Sequence, residues 1–95
     1  MTYLRVEWKH TFEDEPIELL SELDPERYEI RKVERFCNGA IAFAGPDGAS
    51  GTTMLSETPI PSIEQIAADP QFHAIAISRE TFEHIWQAAT ISAAA

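Results

Sequence analysis

The chain lacks the residues that build metal or disulfide sites. Its 95 residues include one cysteine, Cys37, so no intrachain disulfide can form, and a reducing compartment suits the chain without being required by it. The three histidines, His10, His73 and His84, are scattered, and no CxxC, HxH or HExxH spacing occurs. The sequence therefore predicts no metal site and no cofactor.

Basic residues are also scarce. Seven Lys and Arg stand against 16 Asp and Glu, which gives a formal net charge of -9. A negative field of this size repels nucleic acid phosphates and anionic lipid surfaces at long range. We therefore expect no direct nucleic acid partner and no membrane partner, and we expect a basic protein to be attracted.

Long apolar runs are missing as well. No stretch approaches the 18 apolar residues that span a bilayer, and the opening MTYLRVEWKH has no apolar signal-peptide core. These features predict a cytoplasmic protein. At this length one hydrophobic core is expected, so residues 1–89 are predicted to form a single domain and residues 90–95 a disordered tail.

Nothing in the sequence assembles a catalytic set. Cys37 has no recognisable base near it and stands beside the Asn38-Gly39 turn. The spacing Gly45, Gly48 and Gly51 resembles a phosphate cradle but lacks the lysine of a P-loop and opens no helix. We therefore predict that the protein is not an enzyme.

Alternating apolar residues predict four consecutive strands. Leu4, Val6 and Trp8 share one side of the first strand, and residues 17–23 form the second. In residues 28–37 the apolar pattern changes parity, which predicts a bulge near Arg31 and Lys32. Asn38-Gly39 is a hairpin signal, and residues 40–44 form the fourth strand.

Two helices are predicted after the strands. Ser62 is an N-cap with Gln65 at the capping-box position, and Asp69-Pro70 ends this short helix. A second helix begins after Ser78. Its apolar stripe consists of Phe82, Ile85, Trp86 and Ala89. The predicted fold is α+β: a four-stranded antiparallel meander followed by two C-terminal helices packed on one face, with residues 45–53 as an exposed loop.

The segment from residue 13 to residue 26 has seven acids and no Lys or Arg. Its acids are Glu13, Asp14, Glu15, Glu18, Glu22, Asp24 and Glu26. One interpretation is an acidic edge that binds a basic partner. The alternative is internal neutralisation by cross-strand pairs. The bases available for such pairs are Arg5, Lys9, Arg31, Lys32 and Arg35. Trp8 and Trp86 likewise belong either to the core or to a partner contact.

Several stretches together resemble a known family. They are LRVEWKH, DEP at 14–16, LLSELD at 19–24, YEIRKVERF at 28–36, PIPSIEQIAADPQF at 59–72 and FEHIW at 82–86. The chain resembles a widespread family of small uncharacterised bacterial domains over about residues 2–88. The resemblance carries no functional residues, and Cys37 and Ala40 depart from the polar residues expected at that turn. In format the chain is also similar to immunity proteins and phage-encoded inhibitors.

These observations give three hypotheses. The first is a small acidic inhibitor or immunity-type protein that neutralises a basic toxin or nuclease through residues 13–26, either alone or together with the 45–53 loop. The second is a small-molecule or peptide-binding module whose sheet groove is lined by Tyr3, Trp8, Tyr28 and Phe36. The third is a structural accessory subunit or homodimer that pairs an exposed sheet edge.

Overall fold

One antiparallel sheet organises the molecule. The computed structural model describes residues 1–50 and 53–94. The strands are β1 Thr2–Trp8, β2 Pro16–Leu23, β3 Glu29–Phe36, β4 Ile41–Gly45, β5 Gly48–Ala49 and β6 Phe72–Ala76, and the helices are α1 Ile63–Ala67 and α2 Arg79–Ala94. The strand order is β5-β4-β3-β2-β1-β6.

The predicted four-stranded sheet is wrong, because the sheet has six strands, although the α+β class is correct. β5 is a two-residue strand within the loop predicted at 45–53, where Ala49 pairs with Ala44. β6 pairs with β1 and separates the two helices along the chain. Its sequence, FHAIA, gives a weak signal because an edge strand with alanines has little periodic hydrophobicity.

The two helices also lie on opposite faces of the sheet, not on one. α2 covers the face that carries Tyr3, Leu20 and Val33. α1 and the segment before it cover the face that carries Val6 and Leu19. The crossover from β5 to β6 must pass over one face, so α2 is left to close the other.

The core lies between α2 and the sheet. Phe82 is completely buried and its ring centroid lies 5.4 Å from that of Tyr3. Ala89 is buried one helical turn after the half-buried Trp86 and Ile85, which confirms the predicted stripe. Burial of one such aromatic side chain contributes about 2–3 kcal/mol, so this helix is a main source of stability.

Residues 53–61, here called the strap, connect β5 to α1 across the second face. Arg27 holds the strap by donating from Nε to the Ile60 carbonyl at 2.8 Å and from Nη2 to the Pro61 carbonyl at 2.7 Å. α1 then begins at the predicted capping box, in which Ser62 and Gln65 bond each other's backbone N–H groups. The N-cap prediction is confirmed.

Two local predictions are close to the observed geometry. The hairpin between β3 and β4 uses Cys37–Gly39, with Gly39 at φ 88°, a conformation that glycine adopts without a steric penalty. The bulge in β3 falls at Ile30, one residue before the predicted position, because Glu22 pairs with Arg31 while Leu23 pairs with Glu29.

The end of the chain is helical as far as it is described. α2 continues through Ala94, and the Thr90 hydroxyl donates to the Trp86 carbonyl at 3.1 Å. These residues include most of the segment predicted as a tail, of which Ala95 lies outside the described residues. Neither α1 nor α2 has the length and apolar character needed to cross a bilayer.

Candidate functional site

The seven acids of residues 13–26 fall into three groups. Glu13, Asp14 and Glu15 are exposed in the loop before β2, Glu18 and Glu22 are buried within β2, and Asp24 and Glu26 follow it. β2 has eight residues, so its two ends are separated by roughly 25 Å. The structure therefore does not bring all seven acids together on one edge.

Glu18 is bound by bases on both neighbouring strands. Arg5 on β1 approaches its carboxylate at 2.6 Å, and Arg35 on β3 approaches it at 2.7 Å. The residue is only 7% exposed. Two guanidinium groups therefore neutralise this charge, as the cross-strand alternative anticipated.

Glu22 belongs to a larger network beneath α2. It accepts a hydrogen bond from the Tyr3 hydroxyl at 2.9 Å and one from Arg31 Nε at 2.6 Å, while Arg31 also binds Glu83 on α2. Hydrogen bonds from Arg31 lower the pKa of Glu22 and of Glu83, and burial raises the pKa of Tyr3. Both carboxylates are therefore held ionised within the fold.

Asp24 has a local structural role. Its Oδ1 atom accepts from the backbone N–H groups of Glu26 and Tyr28, at 2.9 and 3.0 Å. These bonds close the turn between β2 and β3, in which Arg27 adopts a φ of 71°. Glu26 is exposed beside this turn, at the far end of β2 from Glu13–Glu15.

The loop between β1 and β2 carries a cluster of exposed acids. Phe12 is 59% exposed, and the next three residues, Glu13, Asp14 and Glu15, are exposed carboxylates. Phe12, Glu13 and Asp14 line a shallow depression with Cys37 and Asn38 of the β3–β4 turn. An exposed aromatic ring with a charged surround is typical of a protein-binding surface.

His10 fixes the path of this loop. The Phe12 N–H donates to His10 Nδ1 at 3.0 Å, so Nδ1 is the acceptor and the proton is assigned to Nε2. Nε2 lies 2.7 Å from the Pro16 carbonyl, which accepts that proton. The imidazole ring thus connects the two ends of the loop and presents Phe12 and the acids in a defined arrangement.

The rings behind Phe12 form a continuous row. Trp8 lies between Phe72 and His10, with ring centroids 6.0 and 4.3 Å away, and His10 stacks on Phe12 at 5.3 Å. Trp8 is therefore packed within this row, and Trp86 packs in the core against Phe82 and Phe43. Sequence reasoning missed Phe12, although an aromatic residue inside an acidic turn is a visible signal.

Three other sequence features carry no assembled chemistry. Cys37 is exposed, with its Sγ 3.9 Å from the Glu13 carbonyl oxygen. No group of three or more His, Cys, Asp or Glu is arranged to hold a metal among the residues described. In the loop predicted at 45–53, Gly48 and Ala49 form β5, and Gly51 and Thr52 lie outside the described residues.

The groove proposed from Tyr3, Trp8, Tyr28 and Phe36 is not formed by those four residues together. Tyr3 packs on Phe82 beneath α2. Trp8 lies on the opposite face of β1, where it packs on Phe72. The sheet has a different apolar groove, between α1 and the second face. Its lining includes Val6, Leu19 and Ile66.

The fold and the loop define a small α+β domain that presents an exposed aromatic ring and three exposed acids between β1 and β2. The family model described as "Domain of unknown function (DUF6881)" matches residues 2–91, and the chain belongs to this family. The resemblance to a family of uncharacterised domains is thereby confirmed. Comparison with curated proteins gives no match, and comparison with solved structures gives none either.

Proposed function

We propose that the protein is a cytoplasmic, bacterial inhibitor or immunity-type protein that binds a basic toxin or nuclease through the β1–β2 loop. One observation carries the proposal: Phe12, 59% exposed, stands on a loop held by His10 and is followed by three exposed carboxylates. The aromatic ring supplies an anchor that a partner can desolvate, and the acids supply steering and orientation.

The ion pairs of Glu18 and Glu22 with arginines remove these two acids from the proposed contact surface. Glu18 and Glu22 have their charges matched by arginines, so little of their field reaches a partner. Asp24 and Glu26 lie at the other end of β2. The binding surface is therefore assigned to Phe12, Glu13, Asp14 and Glu15, and residues 45–53 are not required for it.

The charge balance supports a basic protein as the partner. A net charge of -9 raises the encounter rate with a cationic surface and disfavours direct binding to nucleic acid or to an anionic membrane. On this proposal the protein acts by covering the partner's basic site and performs no chemistry itself. The interaction weakens as ionic strength rises, because the contributing charges are exposed.

The experiment begins with a pull-down from lysate of the source cell at low and high salt, followed by purification of any basic protein retained stoichiometrically. Association and dissociation rates are then measured for three variants. The first combines Glu13→Gln, Asp14→Asn and Glu15→Gln, and the second is Phe12→Ala. The third, a control with the same charge loss elsewhere, combines Glu57→Gln, Glu64→Gln and Glu80→Gln.

We expect the loop-charge variant to slow association about tenfold or more at low salt. Phe12→Ala is expected to cost about 2 kcal/mol in binding, mainly through faster dissociation. The control is expected to bind nearly as the unmodified protein does. Equal losses in the loop variant and the control, or retention of no basic protein at either salt, contradict the proposal.

A second candidate function is supported by the apolar groove between α1 and the sheet. The groove has a volume of about 420 Å³ and is lined by Val6, Leu19, Ile66 and Phe72, with Ser21 among its polar residues. This size and lining suit a small, mainly apolar ligand. A ligand-dependent rise in melting temperature, abolished by Leu19→Trp, supports this candidate, and no rise with a library of small apolar compounds removes it.

A further inference from the structure

β6 is an edge strand whose own sequence lacks the residues that usually protect sheet edges, although α1 packs beside it. It lies at the end of the strand order, and its sequence, FHAIA, contains no proline, lysine or acid. Proteins normally use such residues to prevent an edge from pairing with another chain. His73, Ile75 and Ala76 are exposed, whereas Ala74 is 9% exposed, and Ile75 is a large apolar side chain with 37% of its surface accessible.

The hydrogen-bond pattern shows which backbone groups of β6 point outward. The Ile77 N–H donates to the Tyr3 carbonyl at 3.0 Å, and the Lys9 N–H donates to the Gln71 carbonyl at 2.7 Å. Bonded pairs alternate along an antiparallel ladder, so the odd-numbered residues of β6 face β1. The N–H and C=O groups of Ala74 and Ala76 therefore point away from β1, towards the outer side of the edge strand.

We propose that β6 pairs with β6 of a second copy of this chain, in antiparallel register about a twofold axis through Ile75. This register opposes Ala74 of each copy to Ala76 of the other. Each of these two pairs exchanges two backbone hydrogen bonds, so four bonds form across the axis. The result is a continuous twelve-stranded sheet with closed twofold symmetry.

The exposed Ile75 side chains select this register. At the axis the two Ile75 residues form a non-hydrogen-bonded pair, the position at which facing Cα atoms approach to about 4.5 Å and side chains contact closely. A register centred on Ala74 opposes Ile75 to His73 instead. It also needs the Phe72 N–H, which already donates to the Asp69 carbonyl at 3.0 Å.

The occupant is a second copy because the edge is complementary to itself. The molecule has a net charge of -9, so two copies repel each other, but β6 itself carries no acid. Two copies can therefore meet along β6 without direct contact between carboxylates. The opposite edge, β5, offers two residues, Gly48 and Ala49. Among the described strands, β6 is thus the edge with enough length to form four intermolecular bonds.

The predicted dimer is weak and strengthens with salt. Two five-residue strands bury an area at the low end of specific interfaces, which corresponds to a dissociation constant in roughly the micromolar range. Added salt screens the repulsion between two molecules of charge -9. Partner binding through Phe12 and its acids shows the opposite salt dependence, so the two proposals succeed or fail separately.

The first test is sedimentation equilibrium from about 1 to 500 µM at low and moderate salt. We expect a monomer–dimer equilibrium that shifts towards dimer with salt. Ile75→Glu is expected to weaken the dimer at least tenfold, because two carboxylates then face each other at the axis. Ile41→Glu is the matched control, since Ile41 on β4 is 38% exposed and is expected to leave the dimer unchanged.

A second variant removes only an outward bond. Ala76→Pro deletes an N–H that points away from β1, so the internal ladder is retained while dimer contacts are lost. Circular dichroism and melting temperature check that Ile75→Glu and Ala76→Pro remain folded. A monomer at all concentrations, or a dimer that persists in both folded variants, overturns the proposal.

Cross-linking tests the register. In a Cys37→Ser background, Ile75→Cys is expected to form an interchain disulfide under mild oxidation, because the two Cα atoms lie within bonding range. His73→Cys is the control on the same strand face. Its counterpart lies about 13 Å away in this register, beyond disulfide reach. Equal cross-linking of both variants, or preferential cross-linking of His73→Cys, contradicts the Ile75-centred pairing.

Discussion

At the residue scale, Gly45 shows how closely α2 approaches the sheet. A Cβ atom at this position lies 2.9 Å from Trp86 Cη2 and 3.2 Å from Trp86 Cζ2. Trp86 is itself held by Phe82 and Phe43 and by the Arg31 guanidinium, 5.1 Å from its ring centroid. Glycine is needed here for space, which is a packing requirement and not a backbone one.

We therefore expect Gly45→Ala to destabilise the fold by about 1–3 kcal/mol, since the indole ring must shift against packed neighbours. The free energy of unfolding is measured by chemical denaturation, and the dependence of that free energy on denaturant concentration is expected to stay unchanged. The control is the same substitution combined with Trp86→Phe, which removes the contacting ring atoms. An equal cost in both backgrounds shows that the ring contact is not the cause.

The acidic residues of residues 13–26 differ from one another in burial and in ion pairing. Glu18, Glu22 and Glu13 are identical in type, yet two are neutralised inside the sheet and one is exposed. The difference arises from cross-strand neighbours: Glu18 has Arg5 and Arg35 beside it, and Glu22 has Arg31. The sequence offered both interpretations of these acids, and only strand register assigns each carboxylate to its base.

At the element scale, the strap depends on side chains from β3 and the turn before it. Besides the two Arg27 bonds to Ile60 and Pro61, Glu29 accepts from the Ser56 N–H at 2.6 Å and Glu34 accepts from the Thr53 hydroxyl at 2.6 Å. The strap has no regular backbone ladder of its own, so these anchors determine its position over the sheet.

We expect Arg27→Asn to release the strap and α1 while the sheet stays intact. Asparagine tolerates the positive φ at this position but cannot reach the Ile60 and Pro61 carbonyls. Hydrogen exchange should rise about tenfold or more in residues 57–67 and remain unchanged in β1–β3. Arg27→Lys retains the positive charge but lacks the planar guanidinium that bonds both carbonyls. Hydrogen exchange in that variant at the rate of the unmodified protein contradicts the hydrogen-bond explanation.

The candidate site is also an element-scale structure. Trp8 ends β1 and His10 follows it, and the hydrogen bonds of His10 connect this end of β1 to Pro16 at the start of β2. Alternation predicts β1 and β2, so a turn near residues 11–15 was foreseeable. The exposure of Phe12 was not foreseeable from the sequence, because an aromatic residue at this position is equally compatible with burial in a core.

At the scale of the whole molecule, one network joins four elements. Tyr3 on β1, Glu22 on β2, Arg31 on β3 and Glu83 on α2 are connected by hydrogen bonds. The Arg31 guanidinium also lies 5.1 Å from the ring centroid of Phe82. Removing one member of such a network leaves a buried polar group unsatisfied.

This network predicts acid sensitivity with a defined sign. Arg31 lowers the pKa of Glu22 and Glu83 in the folded protein, so the unfolded state binds protons first as pH falls. Their contribution to stability is present above the ordinary glutamate pKa, about 4.3, and is lost as pH decreases through the lower folded values. The free energy of unfolding should therefore decline below about pH 5.

Glu22→Gln tests this explanation. We expect it to lower stability by about 1–3 kcal/mol at pH 7, and to reduce the difference in stability between pH 7 and pH 3. Unfolding free energies measured across this pH range provide the comparison. Glu57→Gln, at an exposed position, is the control. A pH dependence as steep as that of the unmodified protein contradicts the assignment to Glu22.

The sequence by itself determined the parts that depend on local periodicity and total charge. Alternation located β1–β4, a helical stripe and a capping box located α2 and α1, and the excess of acids set the net charge. Only tertiary structure decided that β5 and β6 extend the sheet, that the helices cover opposite faces and which acids remain free. β6 is a strand because it pairs with β1, about 70 residues away along the chain, and no local pattern contains that information.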